Sequence, residues 1–154
     1  MALKPLRKYV EGTDIAHILN EAAEKGIVVR HTSSASGTGK PGDANNLLEI
    51  PTNASGVPLG ILATDVVSLD LSRYEHLARY HRDETVVGSP VTVVTHGFVY
   101  TNMWSGSDPT AGAPAYYTAT GKLTTTNTGS VSVGRFRGVP DSDGYVGVDV
   151  TVRV

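Results

Sequence analysis

The chain has 154 residues, a formal net charge of −2 and no cysteine, and its length suits one domain with its own core. The lack of cysteine excludes a disulfide scaffold, a thiolate zinc site and a cysteine nucleophile, and the lack of a basic excess argues against a nucleic-acid binder. No apolar run approaches the roughly 18 residues of a membrane helix and the N-terminus lacks the apolar stretch of a secretory signal, so we expect a soluble protein made in a cytoplasm, with no membrane partner.

The N-terminal residues divide into an arm and a helix. We predict an extended arm over residues 1–12, because Pro5 lacks a backbone donor and Gly12 interrupts the segment. A helix is predicted over about residues 15–25, where apolar side chains recur at helical spacing and Gly26 suits the position after a helix. The apolar stripe consists of Ile15, Ile18, Leu19, Ala22 and Ala23.

The remaining sequence is typical of β-structure, and residues 13–154 are predicted to form a single β-rich domain. Residues 32–46 are polar and rich in glycine, so we expect an exposed contact loop there. Turn residues separate short apolar segments, most regularly in a β-barrel-like part over residues 85–154. Strands are expected at residues 27–31, 47–50, 85–87, 91–94, 98–101, 115–119, 123–126, 131–136 and 145–152, with a turn at His96-Gly97.

The predicted fold class is therefore mainly β. We expect a small β-sandwich or partly closed β-barrel with one N-terminal α-helix and an extended N-terminal arm.

No catalytic, cofactor-binding or metal-binding residue is predicted. His76 and His81 lie near acidic residues, but their spacing is not that of a zinc-binding helix and no third ligand is evident. The glycine-rich residues 37–42 place a proline after the lysine, where a phosphate loop needs serine or threonine. Residues 141–144 have turn chemistry but lack the distant glutamate of a calcium loop.

Several short motifs, in a particular order, are similar to small virion β-barrels. Residues 111–116 read Ala-Gly-x-Pro-x-Tyr, residues 121–124 read Gly-x-Leu-Thr, and residues 133–136 read Val-Gly-x-Phe. With the segments around them, from Gly56 to Val152, the chain resembles bacteriophage head decoration proteins, also called capsid cement proteins. The further segments that carry this resemblance are residues 56–62, 65–67, 81–84, 86–88, 91–93, 97–102 and 143–148.

The resemblance implies a structural virion protein that is not an enzyme and has no cofactor. Such proteins are displayed on the outer capsid surface, often as homotrimers, and clamp adjacent subunits of the major capsid protein. An arm that orders on docking suits this role, and its candidate capsid-binding residues are Leu3, Lys4, Leu6, Arg7, Lys8 and Tyr9. Candidate subunit contacts are Tyr74, His76, Tyr80, His81 and Trp104.

Two other functions remain open at this point. A carbohydrate- or receptor-binding β domain of a phage tail or fibre would use Trp104, Tyr116 and Tyr117 as stacking platforms. A small oligomeric enzyme would centre on His76, His81 and the carboxylates near them.

Overall fold

The computed structural model describes residues 10–32, 47–68, 84–127 and 129–152. Within these ranges all of the regular structure is β, and there is no helix long and apolar enough to cross a membrane. The strands are β1 (Val10–Leu19), β2 (Val28–His31), β3 (Leu47–Glu49), β4 (Gly60–Leu62), β5 (Asp65–Val67), β6 (Glu84–Val86), β7 (Pro90–Thr101), β8 (Pro114–Tyr117), β9 (Leu123–Thr124), β10 (Gly134–Phe136) and β11 (Val146–Thr151).

Five of these strands close into a barrel. The ring runs β1-β3-β2-β4-β7 and is completed by pairing of β7 with β1. The β1–β3 pair is parallel and the other four pairs are antiparallel. Closure leaves the ring strands without a free edge where they pair, which limits edge-to-edge aggregation. A closed β-barrel is therefore present, and its strands come from residues 10–101, whereas the barrel-like part was expected over residues 85–154.

A glycine permits the close approach of β4 and β7. A Cβ atom on Gly60 would lie only 2.3 Å from the carbonyl oxygen of Val94 and 2.9 Å from a methyl carbon of Val93. Any larger residue at this position would push apart the two strands that pair there, Ile61 with Val94 and Leu62 with Val93.

Strand β7 continues beyond the barrel into a second set of strands. Its C-terminal half pairs with β11, and the order continues through β10 and β8 to β9. We call β7, β11, β10, β8 and β9 the side sheet. The predicted turn at His96-Gly97 is wrong, because β7 passes through it as one strand. Gly97 has a φ of 135° and pairs with both Val10 and Val150, so the strand changes partners at this residue.

Two apolar cores lie on opposite sides of the barrel wall. One cluster includes residues of all five ring strands and fills the barrel; its members are Leu19, Ile27, Val29, Leu48, Leu62, Val66, Val91 and Val93. The other joins the outside of β2, β4 and β7 to the side sheet, and includes Val28, Ile61, Val94, Val99, Tyr117, Leu123, Phe136, Val146, Val148 and Val150. Adjacent residues therefore serve different cores, as strand geometry requires.

The predicted helix over residues 15–25 is wrong, and with it the predicted fold class. Residues up to Leu19 belong to β1, where His17 and Leu19 are buried and Ile18 is less so, which is the two-residue period of a strand. Beyond β1, Ala23 exchanges two backbone hydrogen bonds with Val66, at 2.8 and 2.9 Å. Gly26 donates to the carbonyl of Leu62. The backbone groups of Ala23 and Gly26 therefore form hydrogen bonds with residues distant in the sequence, and not the i to i−4 hydrogen bonds of a helix.

Other predictions for the N-terminal part fall mostly outside the described residues. Residues 1–9 of the arm and 33–46 of the contact loop lie outside them. Residues 10–12, which were assigned to the arm, form the beginning of β1.

The loop between β3 and β4 is tied to both parts of the molecule. Arg30 forms an ion pair with Glu49 at 2.8 Å and donates to the carbonyl of Ser55 at 2.6 Å. The hydroxyl of Tyr117, on the side sheet, donates to the carbonyl of Gly56 at 2.9 Å. This loop therefore holds the barrel and the side sheet together.

Candidate functional site

One surface of the side sheet carries large aromatic and charged side chains. The strand registers place Phe98, Asp149 and Arg135 side by side on β7, β11 and β10. In the next row Tyr100 lies opposite Gly147, whose carbonyl accepts a hydrogen bond from the backbone of Arg137. We call this surface the aromatic-arginine face; it comprises Phe98, Tyr100, Arg135, Arg137, Tyr145 and Asp149.

The other side of the same strands is apolar and buried. Val99, Thr101, Val148 and Val150 alternate with the residues of the face, and none of the four is more than 7% exposed. The alternation of β7 and β11 therefore directs one set of side chains into the core and the other toward solvent. The core under the face makes it a rigid platform, since its strands cannot move without disturbing close packing.

The three aromatic rings form a continuous row. The Phe98 and Tyr100 ring centroids are 6.2 Å apart, and Tyr100 stacks on Tyr145 at 6.4 Å with an angle of 8° between the rings. A Cβ atom on Gly147 would lie 2.9 Å from the ring of Phe98 and 3.3 Å from that of Tyr100. Gly147 thus lets both rings lie against β11, which restricts their motion before any partner binds.

Of the two arginines of the face, Arg137 is held in an ion pair with Asp149. The Nε atom of Arg137 lies 2.7 Å from a carboxylate oxygen of Asp149, and its guanidinium is 4.8 Å from the centroid of Phe98. The hydrogen bond and charge of Asp149 raise the pKa of Arg137 above its ordinary value. Because these two side chains are 60% and 41% exposed, the pair contributes little to stability. Its effect is to orient Arg137 over Phe98.

Arg135 is exposed, and its side chain makes no ion pair or hydrogen bond within the described part of the chain. It lies opposite Asp149 in the β10–β11 pair, but that carboxylate is held by Arg137. An open depression of about 530 Å³ adjoins Arg135; its lining also includes Val131, Ser132, Gly134, Asp149 and Thr151. A second depression, of about 280 Å³, lies beside Phe98 and Arg137.

The face is suited to binding a protein surface. Aromatic residues and arginine are enriched where protein interfaces derive most of their binding energy. Within residues 10–32, 47–68, 84–127 and 129–152, no group of three or more histidine, aspartate or glutamate side chains could hold a metal ion. What the face offers to a partner is a set of aromatic rings, two guanidinium groups and a carboxylate on a buried sheet.

The structure places one of the predicted contact residues. Trp104 is half-buried against the core, and its indole N–H donates to the carbonyl of Gly144 at 2.8 Å. Its role as a subunit contact stays a prediction. The other predicted contacts lie outside the described residues: Leu3, Lys4, Leu6, Arg7, Lys8, Tyr9, Tyr74, His76, Tyr80 and His81.

The proposed sugar-stacking residues do not form an open platform. Tyr117 has no exposed surface, and its hydroxyl is bonded to the carbonyl of Gly56. Trp104 packs against the same core and is half-buried, so partly exposed rings remain only at Trp104 and Tyr116. A stacking site that needs all three rings is therefore not assembled.

The residues of the aromatic-arginine face were not singled out from the sequence. Phe98 and Tyr100 alternate with Val99 and Thr101, and this two-residue period could have shown that the rings face away from the core. Arg135 and Arg137 show the same alternation about Phe136. The sequence carries no local signal that these two strands are neighbours of β11.

A comparison with protein families finds one that covers most of the chain. Residues 29–150 match the model described as XM1 gp53 minor capsid protein. This range contains every residue of the aromatic-arginine face, whereas β1 and the segment before it lie outside the matched range. A comparison with curated proteins finds no match.

Proposed function

This chain belongs to the XM1 gp53 minor capsid protein family, and we propose that it serves as a cement protein on the outer surface of the assembled phage head. The family indicates a structural role in the virion and contacts with other capsid proteins. In the proposed role, each copy bridges adjacent subunits of the major capsid protein. Because such a protein binds the assembled shell and not the free subunits, its binding stabilises the shell by mass action.

The aromatic-arginine face is the observation that supports this role best. Its rings are held in place by Gly147 and by a firm core, so little side-chain freedom is lost on binding. Many copies on a symmetric shell would multiply a contact of modest affinity. A rigid domain with a preformed contact surface is what cementing requires.

We propose the arm as a second contact with the shell. Val10 pairs with Gly97, so the preceding segment joins the domain one residue from Phe98. That segment offers apolar and basic side chains: Leu3, Lys4, Leu6, Arg7, Lys8 and Tyr9. An extended segment can add a strand to an exposed sheet edge of a partner.

Self-association belongs to the same hypothesis. The resemblance to decoration proteins implies a homotrimer, with Tyr74, His76, Tyr80, His81 and Trp104 as the candidate subunit contacts. Light scattering of the purified protein measures the mass directly. A trimer mass supports this part of the hypothesis, and a monomer mass at shell-binding concentrations contradicts it.

Binding to shells that lack this protein tests the cement role. Purified protein is mixed with such heads, sedimented, and quantified against the major capsid protein, and the heads are then heated until they release DNA. We expect saturable binding at a copy number comparable with that of the major capsid protein, and a higher temperature of DNA release. Heads that bind no protein, or bind it without a change in that temperature, would show that it is not a cement.

A further inference from the structure

We infer that the aromatic-arginine face recognises an acidic segment of a shell protein, with Arg135 as the residue that receives its carboxylate. This inference rests on the proposed capsid-binding function and names the chemistry of the partner. In the proposed partner segment, an aspartate or glutamate lies next to an apolar residue.

The pairing of charges on the face supports an acidic partner. Two guanidinium groups and one carboxylate, those of Arg135, Arg137 and Asp149, give the face a charge of +1, although the whole chain carries −2. Asp149 is engaged by Arg137 at 2.7 Å. Arg135 is thus the cation of the face whose donors are available to a carboxylate, and a guanidinium can bind a carboxylate through two parallel hydrogen bonds.

The surroundings of Arg135 suit a side chain that enters from outside. The adjoining depression of about 530 Å³ is large enough for a carboxylate and a neighbouring apolar side chain. Its lining includes Val131, which is 37% exposed and offers an apolar contact. Arg135 and Val131 together therefore match an acidic residue next to an apolar one.

The aromatic row extends the contact beyond this single charge. Phe98 lies in the same row of the sheet as Arg135, across Asp149. A segment seated on Arg135 would meet the rings of Phe98 and Tyr100 at the same time, and these supply apolar area in a restricted geometry. The guanidinium selects the partner, and the rings add affinity.

Charge variants at an exposed position test the inference without disturbing the fold. We would compare Arg135→Glu, Arg135→Lys and the control Lys122→Glu in binding to shells that lack this protein. Lys122 is also exposed and lies between β8 and β9, outside the face. We expect Arg135→Glu to weaken binding at least about tenfold through repulsion of the acidic segment. Arg135→Lys should weaken it less, because lysine keeps the charge but not the paired donors, and Lys122→Glu should leave it unchanged.

The outcomes separate this inference from the cement role. If wild-type protein binds shells and Arg135→Glu binds equally well, Arg135 is not the recognition residue and the cement role stands. If Arg135→Glu changes the mass measured by light scattering, the face joins copies of this chain, and the inference is overturned. If Arg135→Glu and Lys122→Glu weaken binding to the shells equally, the effect comes from the net charge of the protein, and the inference about Arg135 is overturned. If wild-type protein itself does not bind, both ideas fail.

Discussion

Replacing Gly60 with alanine should open the barrel at the β4–β7 pair. The new Cβ would lie 2.3 Å from the carbonyl oxygen of Val94, whereas a carbon–oxygen contact needs about 3.3 Å. The strands would have to separate by about 1 Å at the place where Ile61 and Leu62 pair with β7. The obstacle is backbone, so a rotamer change cannot relieve it.

The expected loss of stability is large for a single methyl group. Forcing extra volume into a packed site costs about 1–3 kcal/mol, and a weakened backbone hydrogen bond adds about 1 kcal/mol. A total of about 3 kcal/mol corresponds to a fall in Tm of roughly 6–12 °C for a domain of this size.

Circular dichroism during heating measures this change, and Gly138→Ala is the matched control. A Cβ on Gly138 would meet no atom within 4 Å, so its Tm should stay close to that of the wild-type protein. If Gly60→Ala melts within about 1 °C of the wild type, which corresponds to less than about 0.5 kcal/mol, the close approach of β4 and β7 is absent in solution and the described closure of the barrel is wrong.

Three further predictions concern the side sheet. Tyr117→Phe removes the hydrogen bond to the carbonyl of Gly56 and should lower the free energy of unfolding in urea by about 1 kcal/mol; an unchanged midpoint would mean that this bond does not hold the loop. Trp104 is the single tryptophan and its indole N–H is already bonded, so its fluorescence should not respond to added sugars, and a saturable response would favour a carbohydrate-binding role. Asp149 raises the pKa of Arg137, so the guanidinium keeps its charge beside Asp149 until the pH rises through the strongly basic range. Shell binding should therefore persist from neutral to moderately alkaline pH in sedimentation assays, and a decline there would show that another titrating group controls the contact.

The N-terminal strand shows where a local pattern misleads. Ile15, Ile18 and Leu19 have helical spacing, and a helix was the natural interpretation of that stripe. Yet β1 completes the ring by pairing with β3 on one side and β7 on the other. These partners are distant in the sequence, and the ladder bonds they supply decide the conformation. A local period contains no information about them.

The strands of the barrel wall were easier to locate than to arrange. Val28-Val29, Ile61-Leu62 and Val93-Val94 are pairs of apolar neighbours in β2, β4 and β7. The first and the last pair lie within strands expected from the sequence, whereas no strand was expected at Ile61-Leu62. In each pair one residue enters the barrel core and the other enters the core under the side sheet. Because both faces are buried, the pairs lack the alternation that would indicate which way each residue points.

The candidate site was predictable only in part for a similar reason. Phe98 and Tyr100 can be placed on one side of a strand from their spacing, but their neighbours on that surface come from residues 134–149. Strand β11 pairs with β7 on one side and with β10 on the other. The register of these two pairs places Asp149 and Arg135 beside Phe98, and it is set only in the folded sheet. Gly147, which makes room for the rings, has no local feature that marks this function.

Cryo-electron microscopy of intact virions tests the central claim most directly. The account predicts density for a closed five-stranded barrel on the outside of the head, repeated over the shell, with the aromatic-arginine face turned toward the major capsid protein. Density for this chain inside the shell, or confined to the tail, would contradict the cement role. Density on the outside with Phe98, Tyr100 and Arg135 facing solvent would contradict the proposed contact surface.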